Sequence, residues 1–349
     1  ANVFIKRGQF LLSQEGRGRD ALADFAAAVR LQPDSWQALR LRAAAYVALG
    51  DVNAALADLR SAVKIAPGND ELVLGLVSDL IRSEKYDEAS AVADEVLAVR
   101  KTDANLMRIF GDLFARYRRW PAAARLHGLA FELDKQDGIA QRYLDSLLSK
   151  SPPDIARAES VLSELDEARI AKTPGFLMAF ARVRSLQGRL PEADRFAIEG
   201  VKILDPTNPQ LMIAWFNDVQ KLQSDPAKII RFLDAVTDAR IAPDWMAFFK
   251  AGVLTADPST SEKGMIILAD LVKSSPIEAV KKLSYRQQGN TFFAAGKNAE
   301  AAKVWEEAVT AYDNDFESAN NLAYVYVKFL NRPNDALPLA RRAAAGIPN

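Results

Sequence analysis

Cysteine is absent from the 349 residues, and there is a single histidine, His127. Without a thiol there is no disulfide, no iron–sulfur cluster, no structural zinc of the thiolate type and no cysteine nucleophile. One imidazole cannot build a histidine-rich metal site and supplies at most one general base of that kind. An excess of either charge is also lacking, since 45 Lys and Arg stand against 45 Asp and Glu. A neutral chain carries no footprint for nucleic acid or an anionic membrane, both of which require clustered cations. No apolar run approaches the ~20 residues that span a bilayer, and the opening Ala-Asn-Val-Phe-Ile-Lys-Arg lacks the order of a signal peptide. A soluble chain is expected, with neither cytoplasm nor periplasm singled out, no membrane insertion and no nucleic-acid partner. GxGxxG, GK[ST], GxSxG and HExxH are all missing, so no catalytic residue, cofactor or metal is expected.

What the chain does have is alanine, 59 of them, and a period. Pro33 and Pro67 stand 34 residues apart, and each closes an apolar-periodic stretch. Ala21, Phe25 and Ala28 precede Pro33 by the same intervals at which Ala55, Leu59 and Ala62 precede Pro67. Leu39, Ala43, Tyr46 and Gly50 lie ahead of the second set. Further copies run through Val73, Leu80, Tyr86, Ala89 and Val96, then Met107, Gly111, Phe114, Trp120, Ala123, His127 and Ala130. Late in the chain, Tyr285, Gly289, Phe292, Gly296, Ala301, Trp305 and Ala308 restore the pattern, and Leu322, Ala323, Tyr326, Ala336 and Ala340 continue it.

This pattern resembles the tetratricopeptide repeat, a pair of antiparallel helices closed by proline. Small residues such as Ala43, Gly111 and Gly289 suit the close crossing of two helices, and Tyr46, Leu59, Phe114 and Trp305 fill the space beside them. Gly50 and Gly296 fall where a first helix must end in the left-handed conformation. The resemblance implies an all-α, right-handed superhelical solenoid of about nine to ten antiparallel helix pairs. Its expected layout is one array over 1–349, regular over 1–137, divergent over 138–275 and regular over 276–349. Within the divergent part, Ala168-Arg169-Ile170-Ala171 with Pro174 and Ala239-Arg240-Ile241-Ala242 with Pro243 suggest duplication of a two-unit block. Pro348 would close the last unit without a polar capping helix, so either the native chain continues or this end docks on another chain.

His127 takes the place held by Phe25 and Trp305 in their units, and is expected as a packed core histidine. In the resembled fold the first helix of each pair lines a concave groove, and the fifth residue of the unit points into it. Those places hold Lys6, Arg40, Leu74, Arg108, Arg142, Met178, Met212, Arg286 and Asn320, five basic and none acidic, with Arg182 also facing the groove. Guanidinium grips carboxylate in a two-pronged way, so these residues either form a basic wall for an acidic protein or peptide, or pair with Asp and Glu of adjacent helices, Asp112 being in register for Arg108. Arg286, Asn290 and Asn321 further occupy the places where chaperone-binding members hold a peptide's terminal carboxylate, with Arg in place of the usual Lys. Met178, Met212, Trp215 and Phe216 either line a hydrophobic anchor site or plug a seam. The expected function is a non-enzymatic scaffold that binds a partner protein or peptide in its groove. The alternatives are a subunit of a bacterial envelope, secretion or polysaccharide-export assembly, or the regulatory part of a larger enzyme. The sequence indicates neither oligomeric state nor the partner's identity.

Overall fold

A computed structural model describes residues 1–346, which form 21 helices and no strand. The chain divides into two compact units, Ala1–Val161 and the residues from Leu162 onward.

In the first unit α1 (Asn2–Leu12) pairs with α2 (Gly18–Leu31), α3 (Trp36–Ala48) with α4 (Val52–Ile65), α5 (Asp70–Arg82) with α6 (Tyr86–Val99), and α7 (Ala104–Arg116) with α8 (Trp120–Leu133). Then come α9 (Asp137–Ser149) and α10 (Ile155–Ser163). The N-caps of α3, α5 and α7 are Ser35, Asn69 and Asp103, spaced by the repeat length. Each side chain accepts the backbone N–H three residues on, at 3.2, 3.2 and 2.9 Å, satisfying a donor that the helix leaves open.

The turns inside the pairs share one geometry. The N–H groups of Asp51, Lys85 and Arg119 reach back to the carbonyls of Tyr46, Leu80 and Phe114, each at 2.9 Å. The residue before each donor, Gly50, Glu84 and Arg118, is left-handed at φ 81°, 60° and 57°. Gly50 fulfils the sequence expectation, as does Gly296 at φ 73° in the second unit. Glu84 and Arg118 hold the same conformation against a cost of ~1 kcal/mol for a side chain, because closing the helix pair demands it.

Helix contact depends on small residues. A Cβ at Gly8 would lie 2.7 Å from Phe25, one at Gly111 2.3 Å from His127, and one at Gly289 2.2 Å from Trp305. Glycine in the first helix therefore admits an aromatic ring of the second, whereas the matching register positions of α3 and α4 hold the buried Ala43 and the smaller Leu59. Beside these seams in the first unit, Arg7 grips Asp24 at 2.5 and 2.6 Å, and Arg42 grips Asp58 with both bonds at 2.6 Å. Both aspartates are buried, and such two-pronged pairing satisfies a charge removed from water.

The second unit opens with α11 (Glu167–Lys172), followed by α12 (Pro174–Leu186), α13 (Leu190–Lys202), α14 (Pro209–Leu222), α15 (Pro226–Asp238), α16 (Pro243–Thr255) and α17 (Ser261–Ser274). It ends with α18 (Glu278–Ala294), α19 (Asn298–Ala311), α20 (Phe316–Lys328) and α21 (Pro333–Gly346). Five consecutive helices, α12 to α16, and also α21, begin with proline or carry it in the first turn, where its missing N–H is not needed. Met178, Met212 and Trp215 are buried in one core with Phe232, Trp245 and Phe249, while Phe216 stacks on Phe249 at 4.3 Å. Of the two readings of these residues, the plugged seam is the observed one. The indole N–H groups of Trp215 and Trp245 are bonded to the carbonyls of Ala197 and Pro206 at 3.0 and 2.7 Å.

The suspected duplication holds only in part. Met178 and Met246 lie alike in proline-initiated helices within one core, but Ala168–Ala171 are helical in α11 whereas Arg240 and Ala242 are left-handed at φ 57° and 42°. Similar letters take different backbones because the second copy is a turn between α15 and α16. The expected closing proline, Pro348, lies outside the described residues.

Two stability predictions arise. Arg118→Gly raises the thermal midpoint by an amount worth about 0.5 kcal/mol, and Gly50→Val lowers it by about 1–2 kcal/mol. Gly289→Ala costs about 1–3 kcal/mol through overpacking, and Trp305→Leu in the same chain, which copies the residues at the matching register positions, Ala43 and Leu59, recovers part of the loss. Urea unfolding of the two single variants and the double variant measures that coupling.

Candidate partner-binding grooves

Four of the basic positions expected to face a groove, Arg40, Arg108, Arg142 and Arg286, are engaged with carboxylates. Arg40 on α3 meets Glu71 on α5 at 2.6 Å. Arg108 meets Asp112 at 2.7 Å within α7, and Arg142 on α9 reaches the same carboxylate at 3.0 Å. A hollow of about 290 Å³ lies there, lined by Asn105, Arg108, Asp134, Gln136, Gly138, Ile139 and Arg142. Lys6 is exposed on α1, and Arg182 is half-buried on α12.

Asp112 also binds His127, whose Nε2 lies 3.2 Å away while Nδ1 lies 2.9 Å from the Ser146 hydroxyl. The ring is buried against Gly111, as a core histidine should be. An ionised carboxylate only accepts, so Nε2 carries the proton, and the Ser146 hydroxyl can serve Nδ1 as donor or acceptor. Burial pushes the Asp112 carboxyl up, but the His127 hydrogen bond and the charges of Arg142, His127 and Arg108 prevail and hold it below the usual range.

In the second unit Arg286 on α18 donates from Nε to Asp315 at 2.8 Å and from a terminal nitrogen to Glu317 at 2.6 Å. Asp315 is fully buried, caps α20 through the Ser318 N–H and accepts the Ser318 hydroxyl at 2.7 Å. The guanidinium thus ties α18 to the start of α20. Asn290 and Asn321 do come together, the amide of Asn321 donating to the Asn290 carbonyl over a long 3.4 Å.

Between them opens a second hollow, of about 280 Å³, lined by Asn290, Phe293, Trp305, Asn320, Asn321, Tyr324 and Val325. Two of its rings cluster with Phe329, which lies outside the lining: Phe293 is 6.3 Å from Tyr324 and 5.8 Å from Phe329, and those two are 6.0 Å apart, all edge to face. Tyr324 is 52% exposed and Phe329 46%. Trp305 is buried, and its indole N–H has no acceptor. Phe293, Tyr324 and Phe329 were not among the residues singled out from the sequence. Tyr324 lies one helical turn beyond Asn320 on the same face of α20, so extending the fifth-residue count by four would have found it.

Two family models, both described as Tetratricopeptide repeat, match the sequence, one over residues 11–70 and 286–349 and the other over 47–107. The chain is a tetratricopeptide-repeat protein. No curated protein matches it. Among solved structures, a chain of Naa15/Naa10 bound to HypK-THB is 13% identical with a TM-score of 0.45, the match covering 93% of this TPR chain and 60% of that one. The TPR chain therefore spans 60% of that chain's length. The C-terminal part of a TPR repeat-containing protein from Cytophaga hutchinsonii is 11% identical at a TM-score of 0.45, over 74% of this chain and 98% of that one. A tetratricopeptide repeat protein from Parabacteroides merdae is 12% identical at a TM-score of 0.36, over 83% and 98%.

Because the folded TPR unit holds Asp112 below its unfolded value, the contribution of this carboxylate is fully present above the unfolded pKa of ~3.9 and is lost as pH falls through the lower folded value. Asp112→Asn is therefore less stable than the parent at pH 7, by about 1 kcal/mol given the water-screened share of the site. The difference shrinks as urea unfolding is repeated below pH ~4.

Proposed function

We propose that this TPR protein is a non-catalytic scaffold that holds a segment of a partner protein, and that the amide and aromatic hollow of α18, α19 and α20 is a seat for that segment. The repeat is typically a non-catalytic interaction module, which supports the general reading. The observation that carries the particular one is the cluster of Phe293, Tyr324 and Phe329, left exposed beside Asn290, Asn320 and Asn321. Aromatic rings left partly in water while flanked by unpaired amide capacity are the composition of a protein-contact centre.

Arg40, Arg108, Arg142 and Arg286 have a different part in this reading. Each pairs with a carboxylate in place: in the first unit Arg40 ties α3 to α5 and Arg142 ties α9 to α7, with Arg108 on the same Asp112, and in the second unit Arg286 ties α18 to the start of α20. A receptor held in this way loses little conformational entropy on association. An acidic partner gains less from guanidinium groups that already hold a carboxylate. Lys6 and Arg182 line the groove by their register without defining the seat.

Selection of a displayed random-peptide library on the protein tests the proposal. Peptides recovered should lose about tenfold in affinity with Tyr324→Ala and several-fold with Asn321→Ala, and be unaffected by Lys228→Ala on α15. Binders indifferent to both groove substitutions would reject the assignment.

A further inference from the structure

We infer that the turn between α7 and α8 docks a phosphorylated serine or threonine of a partner protein. This surface belongs to the first unit, and the inference does not depend on the seat proposed on α18, α19 and α20. From Leu113 to Phe131 the chain carries four arginines and no carboxylate, and three of the four, Arg116, Arg118 and Arg119, stand at the turn itself. All three are exposed, and among the described residues none of them meets a carboxylate. Other arginines of this unit are treated differently: Arg40, Arg42, Arg60, Arg100, Arg125 and Arg142 are each paired. The turn therefore concentrates three uncompensated charges. Its backbone is fixed, because the N–H groups of Arg118 and Arg119 bond to the carbonyls of Ala115 and Phe114, each at 2.9 Å. The Arg119 guanidinium carbon lies 3.4 Å from the centre of the Tyr86 ring. A cation held on a ring face keeps its N–H edge free for an anion.

The neighbouring turns determine which kind of anion fits. Glu84 and Asp87 are exposed at the turn before it, and Asp154, which holds Lys150 at 3.0 Å, stands at the turn after it. A run of acidic residues, a nucleic-acid strand or an anionic bilayer extended along these turns would pass from the arginines onto like charge. A phosphomonoester instead gathers a charge of about −1.5 to −2 and three acceptor oxygens in one group. That suits three guanidinium forks, each of which binds phosphate oxygens through parallel N–H donors. Tyr117 lies between the arginines and Trp120 follows them, both half-buried. Their rings offer contact to the residues that flank the phosphate, which a free phosphate ion would not use. Arginine clusters are a recurring means of reading phosphorylated motifs.

The test uses the whole chain and a short-peptide library with phosphoserine at the centre and random flanks. The same library with serine or with glutamate at the centre, a thymidine oligonucleotide and phosphatidylserine vesicles serve for comparison. Phosphoserine peptides should be retained about tenfold better than either other library and should shift the side-chain Nε–H resonances of Arg116, Arg118 and Arg119. Arg116→Gln should weaken a recovered phosphopeptide about tenfold. Arg118→Gly should do the same, although glycine suits the left-handed conformation of that residue and raises the thermal midpoint, so the loss of binding is separated from any loss of fold. Lys64→Gln removes an equal charge from an exposed site on α4 and should change the affinity by less than about twofold. The inference is overturned if no phosphopeptide is retained, if the serine or glutamate library is retained equally, or if Arg118→Gly binds the phosphopeptide as tightly as the parent. Oligonucleotide or vesicle binding that exceeds peptide binding and is lost with the same two substitutions would also overturn it, and would give the turn to a different class of partner. The seat on α18, α19 and α20 stands or falls separately, since its own peptides respond to Tyr324→Ala.

Discussion

Two helices can lie close enough to make a repeat only where one of them gives up its side chain. Gly8, Gly111 and Gly289 give it up most completely, and Phe25, His127 and Trp305 enter the space left behind. The register that holds glycine with an aromatic ring or imidazole in these pairs holds alanine with leucine at Ala43 and Leu59, both buried. This complementarity sets the distance between helices, and that distance sets which residues of the first helix face outward into a groove. Trp305 makes the link direct. The ring that fills the space over Gly289 also lines the hollow beside Asn290 and Tyr324.

The same economy appears in the charged residues. Arg7 with Asp24 and Arg42 with Asp58 join the helices within a pair, whereas Arg40 with Glu71 and Arg286 with Asp315 join first helices of successive pairs. His127 lies in the first kind of seam and reaches toward the second through Asp112, which also receives Arg108 and Arg142. A seam that admits imidazole in place of a phenyl ring needs a polar partner at each nitrogen, and Asp112 and Ser146 supply them. The histidine is therefore structural by virtue of its partners as much as its burial.

Much of this architecture was legible because the forces behind it are local. N-caps at Ser35, Asn69 and Asp103, the glycines at 50 and 296, and the small and large residues of each seam are read at fixed spacing along the chain. Glu84 and Arg118 escape such reading, since the left-handed turn is imposed on them by the closure of the pair and nothing in a glutamate or arginine signals it. Arg240 and Ala242 mislead for the same reason. The groove was legible in register but not in availability. Counting fifth residues places Arg40, Arg142 and Arg286 correctly, yet whether a guanidinium is free depends on Glu71, Asp112 or Asp315, which lie about thirty residues away on another helix. Asn290 and Asn321 were placed together by register, while the rings beside them lay outside the positions counted.

A neutral chain can still carry a charged groove, so the balance of 45 against 45 does not by itself decide what is recognised. The decision comes from where the opposite charges meet. Here arginines on the first helices meet carboxylates on the next, and what is left exposed beside α18 and α20 is amide and aromatic face. Ion pairs consumed in holding helices together leave recognition to groups that discriminate by shape and by hydrogen-bond polarity. Such a surface offers an acidic segment less than the register of the arginines suggested, because Arg40 and Arg286 are already paired with carboxylates of the protein itself.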